Sequence, residues 1–145
     1  FDNIKRALFD YIETNYTETA KWFQGSNVLD TTAITEWAWF GIIGVARRRP
    51  MRQVGSNIAN LVTLLVQAII YVKPTDTITR VDAIRDAIVG VLRKPAIQIV
   101  DRVGSAGNLG TLYGQDVVNE ANLGIENDLQ MYQVTLGFDF LEEFS

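Results

Sequence analysis

Two residue types that supply much of enzyme chemistry are missing from this chain, which has neither cysteine nor histidine in its 145 residues. The first absence removes disulfides, thiolate nucleophiles and sulfur-rich zinc sites. The second removes the usual general base near neutral pH and the commonest metal ligand. A chain free of disulfides fits synthesis in a reducing cytoplasm, although exported proteins can also lack cysteine. Phe1 opens a charged, helix-like stretch, not the basic and then apolar pattern of a signal peptide. Positive charge is also in deficit: thirteen Lys and Arg against seventeen Asp and Glu give a net charge of -4 and a pI near 4.8. That balance argues against sequence-independent binding to duplex nucleic acid, which depends on neutralising phosphates. A long apolar run is wanting as well. The uncharged stretch from Val54 to Val72 is diluted by Gly55, Ser56, Asn57, Asn60, Thr63 and Gln67, whereas a membrane-spanning helix takes about 20 predominantly apolar residues.

What remains is 48% hydrophobic and 21% charged with three prolines, the composition of a globular chain, and its length suits one domain spanning residues 1–145. Ile4, Leu8, Tyr11 and Ile12 recur at helical spacing and predict an amphipathic helix ending near Tyr16. Residues 17–35 read as a long connection anchored by Trp22 and Phe23. Glu36 to Ala46, rich in aromatic and β-branched residues, predicts a strand that passes into an exposed basic loop at Arg47, Arg48, Arg49, Pro50, Met51 and Arg52. Leu61 to Lys73 predicts a second strand, apolar at every second position from Val62 to Val72. Thr79 with Asp82 resembles a capping box. It opens a helix carrying Val81, Ile84, Ile88 and Val91 at helical spacing and ending at Pro95. Ile97 to Val103 reads as a short strand, followed by a flexible loop containing Gly104, Gly107, Gly110 and Gly114. The last predicted strand, Gln130 to Leu141, turns Tyr132, Val134, Leu136, Phe138 and Phe140 inward and Gln133, Thr135 and Asp139 outward.

This order predicts an α+β fold, a mainly antiparallel four-stranded sheet with two helices packed on one face. The opposite face then offers Leu61, Leu65, Ile69 and Tyr71, and an apolar sheet face in water commonly marks a protein contact. Either a neighbouring subunit or the segment 17–35, folded back, covers it.

No motif points to catalysis, a cofactor or a metal. The glycines from Gly104 to Gly110 lack the strand-to-helix setting and the Lys-Ser/Thr of a phosphate loop. Ser26, Ser56, Ser105 and Ser145 have no histidine to activate them. Glu126 with Asp128, and Glu142 with Glu143, read as solvated charges, since no Asp-rich calcium loop is present. The arginines at Arg47, Arg48, Arg49 and Arg52 admit three readings, of which contact with phosphate ranks last. They are a solvated loop that keeps a strand end soluble, or an arm that docks on an acidic partner through bidentate pairing. Trp37, Trp39 and Phe40 read as core and interface anchors.

The amphipathic start, the Trp-bearing strand with its arginine run, the long strand ending Ile69-Ile70-Tyr71-Val72-Lys73-Pro74, the helix after Thr79 and the closing strand from Met131 together resemble the tail terminator, or tail completion, proteins of long-tailed bacteriophages. That resemblance implies a small, non-enzymatic virion protein. It would form a homo-oligomeric ring, hexameric in the family, at the head-proximal end of the tail tube. Its partners would be the tail tube protein and the head-tail connector, with DNA passing through the lumen without specific binding and no role for a membrane or cofactor. Another neck or tail component, or a small ligand-binding regulatory domain, are the alternatives.

Overall fold

A computed structural model describes residues 2–26, 29–50, 58–73, 77–93, 95–100, 108–126 and 128–144. The elements in chain order are α1 (Asp2–Asn15), β1 (Ala20–Phe23), β2 (Glu36–Pro50), β3 (Ile58–Val72), α2 (Thr77–Leu92), β4 (Ala96–Val100), β5 (Asn108–Glu126) and β6 (Leu129–Phe144). The strands build one six-stranded sheet in the order β1-β2-β3-β6-β5-β4, curled into a half-barrel. β1 runs parallel to β2, and every other neighbouring pair is antiparallel.

The alternation along β3 sets the core. Val62, Leu64, Val66, Ala68, Ile70 and Val72 are all buried, and their register partners on β6 from Phe140 to Tyr132 point the same way. Both helices close over this surface. α1 contributes Ile4, Leu8 and Ile12, α2 contributes Val81, Ile84, Ile88 and Leu92, and all belong to one continuous cluster with Phe40, Leu136 and Phe138. The Tyr11 hydroxyl donates to the Val91 carbonyl at 2.9 Å and ties the helices together. Tyr16 closes the cluster below α1, edge-on to Phe40, and burial pushes its phenol up to about 12.

The expected four-stranded antiparallel sheet is wrong on two counts. β1 is a strand because Phe23 joins a row of rings, 5.0 Å from Phe9 and 5.9 Å from Phe40 by centroid, while its backbone pairs in parallel with residues 37–40. Four residues of tertiary pairing leave no periodicity to read. β5 is a 19-residue strand where a glycine-rich loop was expected. Only Leu112 and Gly114 of its residues 110–125 are buried, so an apolar alternation was never required of it. Backbone hydrogen bonds to β6 hold it instead.

Two smaller corrections follow. Arg47, Arg48, Arg49 and Pro50 belong to β2, in register with Thr63, Val62, Leu61 and Asn60, and do not open a loop. α2 begins at Thr77, which places Thr79 inside its first turn and not at its cap. Arg52, Gly104 and Gly107 lie outside the described residues.

Candidate functional site

The sheet's two edges are each covered only in part, and from opposite ends. β1 covers β2 along residues 37–40. Gln24 extends that cover by one step: its backbone N–H donates to the Phe40 carbonyl at 2.9 Å, and its Oε1 accepts from the Ile42 N–H at 3.0 Å. Residues 43–50 of β2 have no strand on that side among the described residues. At the other edge β4 covers residues 108–113 of β5, and the Gly114 N–H donates to the Pro95 carbonyl at 2.8 Å. Residues 115–126 then have no strand on that side among the described residues.

These open stretches are also where apolar surface is exposed. Among the described residues, the exposed large apolar side chains on them are Ile43 and Val45 of β2 and Val118, Leu123 and Ile125 of β5; a sixth, Tyr113, lies on the stretch that β4 covers. Val118 and Ile125 are 60% and 65% exposed, values that leave most of each side chain in water. Neither edge is a flat ribbon. β2 carries register shifts at Ile42/Gly44 and Val45/Arg47, and β5 at Gly114/Val117, Val117/Asn119 and Asn122/Gly124. Bulges of this kind bend an edge and restrict which strand can dock on it.

The open half of β5 is held rigidly from behind. Arg85 of α2 makes a bidentate pair with Glu120, at 2.5 and 2.8 Å, and the Tyr132 hydroxyl donates to the same carboxylate at 3.2 Å. Arg85's hydrogen bonds hold the Glu120 carboxyl below the usual carboxylate range. Arg93 pairs with Asp116 at 2.8 Å one step nearer β4. On the other side of α2, Arg80 bridges Glu36 at 2.5 Å and Glu18 at 2.7 Å, which locks the start of β2 to the loop before β1. The β5–β6 turn is tight: Glu126 pairs with Leu129, and Asp128 sits in the left-handed region at φ 61°.

The residues expected to form an interface fall in two places. Leu61, Leu65, Ile69 and Tyr71 do lie on the helix-free face of β3, but each is half-buried. Trp37 stacks on Tyr71 with centroids 5.5 Å apart and is itself only 5% exposed, so this chain already shelters part of that face. Arg47, Arg48 and Arg49 stand on the open stretch of β2. The exposed apolar residues of β5 were missed, because Gly104, Gly107, Gly110 and Gly114 read as a loop and the residues after them as no element. The signal that could have found them is the short Asn127-Asp128 turn signal just before β6, since a hairpin obliges the arm before it to be a strand.

An open cleft of ≈ 580 Å³ lies between Thr17–Ala20 and Ala33–Glu36. Arg80, which bridges Glu18 and Glu36 beside it, has both carboxylates already on its guanidinium, so it offers no unspent cation to an anionic ligand. No group of three or more metal-ligating side chains occurs among the described residues, and none of their helices is long and apolar enough to cross a membrane.

No family model matches the chain, and no curated protein does. Thirteen chains of solved structure match. One of them, whose name carries no function, superposes with a TM-score of 0.65 over 96% of this chain and 94% of its own at 11% identity. At that identity the likeness concerns the fold alone.

Proposed function

We propose that this chain is a structural virion subunit that closes into a ring, hexameric as in the tail terminator family it resembles, at the head-proximal end of a bacteriophage tail tube. The ring joins the tube to the neck. The observation that carries this reading is the pair of uncovered edges on different strands of one sheet, each bearing exposed apolar side chains. Unlike patches at the two ends of a subunit are what a heterologous, head-to-tail contact requires, and such contacts close into rings when the rotation per step divides a full turn. The work done is geometric and needs no catalytic group. One ring face seats on the last layer of the tube, the other receives the connector, and a terminating face unlike the tube's own stops further addition.

The test is the purified chain in light scattering and negative-stain images, followed by addition to growing tail tubes. Rings of uniform subunit number that arrest tube length support the proposal. A strict monomer at high concentration, or rings that leave tube growth unaffected, would sink it.

A further inference from the structure

Resting on that ring reading, we infer that residues 43–50 of β2 in one copy dock antiparallel on residues 115–126 of β5 in the next, joining neighbouring sheets edge to edge. Strand direction permits it. Three antiparallel pairings separate β2 from β5, so the two edges run oppositely, and a copy set beside the first in the same orientation meets it antiparallel.

Charge selects this pairing over the symmetric ones. Residues 43–50 contain Arg47, Arg48 and Arg49 and no carboxylate, whereas 115–128 contain Asp116, Glu120, Glu126 and Asp128 and no Lys or Arg. Docked antiparallel, Arg47, Arg48 and Arg49 come opposite the half of the edge that carries Asp116 and Glu120, whose carboxylates Arg93 and Arg85 hold in place. A β5-to-β5 dimer would set carboxylates against carboxylates, and a β2-to-β2 dimer arginines against arginines. Like charges across strands are destabilising. The exposed apolar residues match as well, with Ile43 and Val45 on one side and Val118, Leu123 and Ile125 on the other.

The open stretches sit at opposite ends of their strands. Arg47 aligns through Thr63 with Asp139 of β6, whereas Glu120 aligns with Val134. Docked edges are therefore offset by about five residues, or roughly 17 Å at ~3.3 Å per residue. A ring absorbs such an offset by tilting its strands to the ring axis, the relation between stagger and tilt that closes a barrel.

The absence of native cysteine makes a direct test simple. Full-length Val45→Cys and Val118→Cys variants are treated with a short bismaleimide, separately and mixed, after light scattering of the wild type. The expected result is a cross-linked dimer at least tenfold more abundant in the mixture than in either variant alone, and a ladder in the V45C/V118C double variant. In parallel, R47E/R48E/R49E, which sets carboxylates opposite the Asp116 and Glu120 half of the neighbour's edge, should weaken assembly at least tenfold. Efficient cross-linking of V118C to itself, or a triple charge reversal that assembles as well as the wild type, overturns the pairing while leaving a ring intact. A wild type that is monomeric at high concentration overturns the ring reading along with it.

Discussion

Gly114 shows how a single missing side chain fixes the path of β5. A Cβ there would stand 2.2 Å from Pro95 Cδ and 2.7 Å from the Leu92 carbonyl oxygen. That oxygen belongs to the last residue of α2 and cannot swing aside. Gly114 is thus the residue that lets β5 pass beneath the end of α2. Gly114→Ala should destabilise the fold by about 1–3 kcal/mol through overpacking. Gly90→Ala is the matched control, because its Cβ meets nothing within 4 Å and lies inside a helix. It should gain about 0.5–1 kcal/mol from reduced backbone entropy. Urea denaturation of both variants checks the opposite signs. Gly114 was legible in the sequence only as one more glycine in a presumed loop, since the atoms that crowd it come from α2 and the segment leading into β4.

At the scale of elements, α2 acts as a brace whose arginines reach both halves of the sheet, and its strongest hold on β5 is the Arg85–Glu120 pair. Glu120→Gln should cost about 1 kcal/mol at neutral pH, once solvent screening of a partly exposed pair is allowed for. The folded-state pKa of Glu120 is depressed. Its contribution is therefore complete above the unfolded value, near 4.3, and is lost as pH falls through the lower folded one. The stability gap between wild type and E120Q should accordingly narrow as the pH drops below about 4, and denaturation curves at successive pH values would show it. A gap unchanged at acid pH would mean that the carboxylate's charge is not what matters. The helices were readable from sequence because Ile4, Leu8 and Ile12, or Ile84 and Ile88, repeat their burial within one element. β3 and β6 were readable for the same reason. β1 and β5 were not, because their stability comes from backbone pairing to a neighbour whose position no local pattern encodes.

For the whole molecule the decisive property is that, among the described residues, β1 and β4 each leave part of a sheet edge uncovered. Val118→Lys tests the consequence directly. The side chain is 60% exposed, so the isolated fold should change by less than about 0.5 kcal/mol, whereas a charge placed in a docking edge should prevent assembly. Light scattering together with thermal unfolding separates the two effects; an oligomer of undiminished size would show that this part of β5 is not in contact. By itself the amino-acid sequence determined the two amphipathic helices, the long apolar strands at the centre and a chemistry without histidine or cysteine. Each of these is a property of residues close together in the chain or of composition. Which surface stays open was decided by the tertiary structure alone. An edge exists only where a partner strand stops, and β1 and β4 stop where residues remote from β2 and β5 in the chain direct them to.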